Sequence, residues 1–247
     1  MSGFIRGSKL IRWIKNGDPV NQLIPNYCVL CGLLSGKDLL CTHCHHQLPY
    51  LELFPFLCSC CALPLKSAAP FCGHCLERKP AFSQSCIAFS YEYPLDHLIH
   101  EFKYRRQLTS GKLLSELLTV ACQQAERPDF LVPVPIHWRK RWQRGFNQTE
   151  ILARHLGQSL KLPVIHAVHQ TRFHVSQKTL GRRERQQNLR KSLAIMNKSR
   201  QQIQGAHIAL VDDVVTTTAT AQALSELLLK AGAQRVDVWA LARTPDH

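Results

Sequence analysis

The stretch Ala209-Leu-Val-Asp212-Asp213-Val-Val-Thr216-Thr217-Thr218-Ala219-Thr220 decides the fold class. An apolar run, His207-Ile-Ala-Leu-Val211, delivers two adjacent carboxylates, and a polar turn from Asp212 to Thr220 follows. Beyond the turn, Ala221, Leu224, Leu227, Leu228 and Ala231 recur at helical spacing until Gly232. Val236-Asp-Val-Trp-Ala-Leu241 then reads as another strand. Strand, turn, helix and strand at this length make a βαβ unit, which predicts an α/β fold with a mostly parallel sheet flanked by helices. Ligands of such sheets bind beyond the carboxyl ends of the strands, where the Asp212 turn is expected to sit.

The residue types in that turn point to a ligand class. Amides entering the helix, with the hydroxyls of Thr216, Thr217 and Thr220, make an anion site. Asp212 and Asp213 would repel a phosphate, yet they can accept hydrogen bonds from neighbouring sugar hydroxyls. The combination suggests a sugar phosphate rather than bare phosphate. An acidic turn that merely caps a helix is the plainer alternative.

Upstream, Cys86 to Tyr91 alternates as a strand should, and Leu95, Leu98, Ile99 and Phe102 mark a helix closed by Lys103-Tyr-Arg-Arg106. Gly111 to Gln124 is a second amphipathic helix, and Phe130 to Ile136 is a short buried strand. Asn147 is expected to cap a helix running to Leu160, with Glu150 completing a capping-box-like start. Pro163 to Val168 is a candidate strand, and Leu76 to Ser83 reads as a linker.

Nine of the eleven cysteines fall between Cys28 and Cys75. The pattern Cys-x2-Cys-x9/10-Cys-x2-Cys occurs twice, as Cys28, Cys31, Cys41, Cys44 and as Cys58, Cys61, Cys72, Cys75. Four thiolates complete the tetrahedral shell of a structural zinc site, so one or two structural Zn2+ ions are expected. The ligands can be taken in sequence or interleaved, and sequential sets make each repeat a self-contained ribbon. Cys60 could replace Cys61, and His43, His45, His46 or His74 could substitute as ligands. An iron–sulfur cluster is the rival metal. Cys86 and Cys122 lie in apolar stretches and are expected to be core thiols.

Composition bounds the rest. The chain has 247 residues, 45% of them hydrophobic and 19% charged, enough apolar material for a real core. A net charge of +14 favours polyanionic partners. Residues 1–24 carry a basic amphipathic stretch without the continuous apolar run of a secretory signal, and no segment is long enough for stable membrane insertion. A cytoplasmic location is expected. Two basic segments stand out: Arg139, Arg141 and Arg144 interleaved with Trp138, Trp142 and Phe146, and Gln177 to Asn188 with Arg182 and Arg185. With Lys103, these could contact a pyrophosphate or nucleic acid, the aromatics stacking on bases. His97 and His100 lack further ligands and read as surface residues.

Taken in order, the paired Cys-x2-Cys motifs, Phe102-Lys-Tyr-Arg105, Val132-Pro-Val-Pro135, Arg144-Gly-Phe-Asn-Gln148, Gln177 to Asn188 and Val211-Asp-Asp213 resemble the ComF family. The resemblance spans about residues 25 to 244. It implies a zinc-binding module over 25–79 and, over 84–247, a domain like the type I phosphoribosyltransferases. By that resemblance Asp212 and Asp213 would hold the ribose hydroxyls, and Thr216, Thr217, Thr218, Ala219 and Thr220 the 5′-phosphate. Mg2+ would accompany phosphoribosyl pyrophosphate. The family usually has glycine where Thr218 stands. It is linked to uptake or utilisation of environmental DNA, so single-stranded DNA and DNA-uptake machinery proteins are expected partners. An active phosphoribosyltransferase of nucleobase salvage and a zinc-bearing adaptor without chemistry are the competing functions.

Overall fold

The computed structural model describes residues 26–105, 107–136, 145–171 and 190–246. The N-terminal basic segment 1–24, Arg139, Arg141, Arg144, Arg182 and Arg185 lie outside the described residues.

The core is a parallel sheet. Its strands are β3 (Ser85–Ser90), β4 (Phe130–Pro133), β7 (His207–Val215) and β8 (Arg235–Arg243), in the order β3-β8-β7-β4. A single parallel bridge, Leu131 to Val164, extends the β4 edge. Two small antiparallel pairs stand apart: the β1 (Asn26–Tyr27) and β2 (Leu34–Gly36) hairpin, and the pair β5 (Val168–Gln170) and β6 (Leu193–Ile195). The segment from Pro163 to Val168 is therefore not the strand expected: it contributes one bridge at Val164, and the paired residues begin at Val168.

Period-two alternation in β7 and β8 explains why helices cover both faces. Ala209, Val211, Trp239 and Leu241 join α3 (Leu95–Tyr104), α4 (Leu108–Cys122) and α5 (Gln148–Leu160) in one core. Ile208, Leu210 and Val236 face α7 (Ala219–Lys230) through Ala223, Leu224 and Leu228. Asn147 precedes α5 without a side-chain cap bond, contrary to the expected capping box. Its amide donates to the Val134 carbonyl at 3.4 Å, and Glu150 pairs with Arg154 instead of reaching back. The side chain that would cap the helix ties it to the end of β4.

The cysteine ribbons are not loose appendages. Cys28, Leu40, Cys44 and Leu48 belong to the same core as Phe89 and Trp239. Cys58, Cys61, Cys72 and Cys75 pack with Val215, Ala221, Val238 and Ala240 of the sheet and α7. The expected linker begins with the end of a short helix, α2 (Gly73–Glu77), and from Ala81 the chain is tied to α7, the Ala81 amide donating to Gln222 at 2.8 Å. At the amino edge of the sheet, buried Asp237 accepts from His207 at 2.8 Å, from Arg235 at 3.0 Å and from Gln84 at 3.3 Å. That saturates a carboxylate only 1% exposed and pins β7 to β8.

Candidate functional site

Chain order and sheet order together locate the site. From β4 the chain moves outward through α5 to Val164, whereas from β7 it moves the other way through α7 to β8. The direction reverses between β4 and β7, which makes the gap between their carboxyl ends the crevice where such sheets bind ligands. β4 makes its last pairing at Pro133, opposite Val211, while β7 runs on beside β8 to Val215. Asp212 and Asp213 thus lie in the strand rather than in the turn the sequence suggested, at the step where one neighbour has ended. A cavity of about 440 Å3 lies at the outer side of the β4 end, lined by Pro133, Pro135, Asn147, His166 and His169 among others, and neither Asp212, Asp213 nor the threonine loop lines it.

The strand's alternation sends the two carboxylates to opposite faces. Asp213 lies on the side of α3, where the Lys103 ammonium sits 2.8 Å from it, both side chains about 15% exposed. Lys103, expected to contact pyrophosphate or nucleic acid, is held here by Asp213. Asp212 accepts from the Asp213 amide at 2.8 Å. Burial raises its carboxyl to about 7, and the neighbouring Asp213 adds to the rise, while the Asp213 amide and Lys103 oppose it. Such a carboxyl changes charge near neutral pH, a frequent property of ligand-binding sites.

Thr216 and Thr217 are exposed, and Thr218, Ala219 and Thr220 are half-buried at the start of α7. Twelve residues of helix aim their amino end at this loop. Thr218 has φ 58° and ψ 0°, the left-handed region. A β-branched residue there costs about 1–3 kcal/mol relative to glycine. Thr218→Gly should therefore raise thermal stability by a few degrees in a melting scan, and tighten binding of a phosphate ligand if the strain also distorts the loop. A lower melting temperature would show that the threonine's contacts outweigh its backbone strain.

The two cysteine sets assemble in sequence, Cys28, Cys31, Cys41 and Cys44 in one, Cys58, Cys61, Cys72 and Cys75 in the other. Within each set the sulfur atoms all lie within 4.8 Å of one another. A zinc ion with bonds of about 2.3 Å requires sulfurs about 3.8 Å apart at a tetrahedron's edge. The Cys31–Cys41 and Cys61–Cys72 separations are 3.8 and 3.7 Å, so both sets fit. Atoms so close leave room for one ion and none for a multi-iron cluster. Burial would raise the Cys28 thiol, but backbone amides of Cys31, Cys41 and Leu30 bring it down to about 6. Burial likewise works against Cys58, and the amides of Cys61, Cys72 and Cys60 lower it to about 7. Burial, with the neighbouring thiols adding to it, pushes Cys44, Cys61 and Cys75 up, so each set holds one thiol set to ionise first while the others need the metal's own charge to lose their protons. Cys60 is not in the set; its thiol faces the Phe82 carbonyl at 3.7 Å. Among the described residues His97 and His100 join no metal-ligating group.

Sequence reading missed Arg243. It lies at the end of β8, 2% exposed, and donates to the carbonyls of Cys61, Val215, Thr216 and Thr244. Nothing in an Ala-Leu-Ala-Arg-Thr run distinguishes a buried arginine from a surface one.

No protein-family profile matches the chain. It is 33% identical over 225 residues to competence protein F of Haemophilus influenzae, covering 87% of this chain and 96% of that protein. It is 34% identical over 230 residues to the DNA utilization protein YhgH of Escherichia coli, covering 90% and 98%. Competence protein ComFC of Bacillus subtilis is 23% identical over 87% of this chain and 92% of its own. Among solved structures, the chain is similar to the allosteric regulatory enzyme of purine biosynthesis, with a TM-score of 0.37 and 20% identity over 53% of this chain and 25% of that one. A purine phosphoribosyltransferase from Pyrococcus horikoshii gives 0.34 and 16% over 53% and 71%.

Proposed function

Because the chain belongs to the ComF family of competence protein F and the DNA utilization proteins, we propose that it acts in the uptake or utilisation of external DNA by holding a phosphorylated pentose at Asp212, Asp213 and the Thr216–Thr220 loop. The observation that carries this reading is the pair of carboxylates standing beyond the end of β4, directly before an exposed hydroxyl loop and a helix amino end. The pentose belongs to phosphoribosyl pyrophosphate with Mg2+, or to a nucleotide of single-stranded DNA. The +14 charge favours such polyanions, and on this reading Arg139, Arg141, Arg144, Arg182 and Arg185 contact the phosphates. The two cysteine sets hold structural zinc, with all four positions closed by sulfur and none left for chemistry. Among the described residues no helix is long and apolar enough to cross a membrane, and we place the protein in the cytoplasm.

A second reading keeps the binding and drops the turnover. Thr218 strains the loop, and Lys103 occupies Asp213, both of which favour an adaptor over a fast transferase.

Calorimetry with phosphoribosyl pyrophosphate and Mg2+ tests the pentose site, with Kd expected in the micromolar range, about −8 kcal/mol. Gel shifts with single-stranded DNA across a salt series test the second ligand. Affinity should fall linearly in log–log form as salt rises. No heat, and DNA binding that is absent at low salt, would together overturn the proposal.

A further inference from the structure

We infer that Arg243 is a positioning residue that mechanically joins the Cys58, Cys61, Cys72, Cys75 set to the phosphate loop, so that metal held by the first steadies the second. The inference rests on the pentose-phosphate reading of that loop.

The guanidinium is 2% exposed. Its Nε donates to the Cys61 carbonyl at 3.2 Å, and Nη1 donates to the carbonyls of Val215 at 3.2 Å, of Thr244 at 2.8 Å and of Thr216. Among the described residues no carboxylate lies within ion-pair distance of it. A buried cation without an anionic partner is costly, and carbonyl dipoles compensate only part of that cost. Four thiolates around one divalent ion carry a net charge of −2, and the arginine lies directly beside one of them in the chain fold. The metal-loaded set thus supplies the missing counter-charge.

The geometry also explains what the contact does. One planar group grips the backbone of a metal ligand and the backbone of Thr216, the first hydroxyl residue of the loop. The Thr216 side chain stays exposed while its carbonyl is tied inward. The Thr216 end of the loop is therefore anchored to the cysteine ribbon through Arg243. A second contact joins the segment after the ribbon to α7: the Ala81 amide, which follows Cys75 in the chain, donates to the Gln222 side-chain oxygen at 2.8 Å. The shared apolar packing of Cys61 with Val215 and Ala221 makes the connection stiff. A rigid element linking two sites couples them reciprocally.

Cadmium-113 resonance on the native chain, with Cd2+ replacing metal in both cysteine sets, tests this without a folding variant. Each signal is assigned by correlation to its cysteine Hβ protons. Saturation with phosphoribosyl pyrophosphate and Mg2+, or with inorganic phosphate, should move the Cys58-set signal and leave the Cys28-set signal in place. In Arg243→Lys, which keeps the charge but concentrates its donors on one nitrogen that cannot span the Cys61 and Thr216 carbonyls, affinity measured by calorimetry should fall about 10-fold. The same variant's cadmium signal should no longer respond at saturation. Heat on the native chain with an unmoved Cys58-set signal would overturn the coupling alone. A lysine variant that binds and responds as the native chain does would overturn Arg243's part in it. No heat from either probe overturns the pentose-phosphate reading first, and the coupling with it.

Discussion

Asp212→Asn will melt above the native protein at pH 8 and will lose most of its affinity for a phosphorylated pentose. The opposite signs follow from one cause. Burial and the adjacent Asp213 raise the Asp212 carboxyl from an ordinary 3.8 to about 7. A folded-state value above the unfolded one means that the native state binds the extra proton between about pH 4 and pH 7. Its contribution to stability is fully present below the unfolded value and is lost as pH rises through about 7. Above that pH the native chain carries a half-buried charge that asparagine does not. The gain is on the order of 2 kcal/mol once partial exposure is allowed for, or about 5 °C in a domain of this size. At pH 5 the unfolded carboxyl is already ionised, so the gap is smaller than at pH 8 but not closed, and the two proteins should converge only below about pH 4.

Binding moves the other way. A carboxylate accepting from sugar hydroxyls makes charge-assisted hydrogen bonds, and removing the charge should weaken binding roughly 30-fold or more. Native affinity should itself rise by about tenfold per pH unit up to about 7, as the acceptor ionises. Melting scans at pH 5 and 8 with calorimetry at both values check these statements. If the variant melts lower at every pH, Asp212 is a structural cap and the pentose site loses its main support.

The second large effect concerns metal. The chain is expected to carry two zinc ions, and their removal should abolish cooperative melting of the whole protein rather than of a small module. Structural zinc contributes on the order of 10 kcal/mol of folding free energy per site in small zinc domains. Here each set is also part of a larger core: Cys28 and Cys44 pack with Phe89, and Cys61 and Cys75 pack with Val215 and Val238. Cys61→Ser, at a position 1% exposed, should be more damaging than Cys31→Ser, whose sulfur is exposed. Metal analysis of the purified chain and melting with and without a chelator supply the measurement. An apo protein that melts like the native one would show that the tetrads are dispensable for folding.

Much of this architecture is legible in the order of the residues. Trp239 and Leu241 alternate with Val238 and Ala240 because a buried strand must satisfy two faces, and that period survives in the sequence. The cysteine pairs were legible because a two-residue gap is itself a geometric requirement for two ligands of one ion. The glycine missing at Thr218 was visible too, though only the backbone angle of 58° shows that the position is left-handed. Asn147 holds the N-cap position read from the sequence, and only its capping bond was misread, because a capping box is a local rule and the Val134 carbonyl competing for that side chain is thirteen residues away in the chain.

The choice between sequential and interleaved cysteine sets came from the fold, while chain spacing alone was enough for the βαβ frame, the four Cys-x2-Cys pairs, and the neighbouring acids and hydroxyls of the candidate site. These are short-range patterns, in which spacing along the chain equals spacing in space. Folding in three dimensions is what makes β7 outrun β4 at the crevice, sets Lys103 against Asp213, and buries Arg243 between a cysteine ribbon and the threonine loop. Those contacts join residues up to 182 positions apart. Their partners are largely backbone carbonyls, which every residue possesses, so no side-chain pattern could announce them.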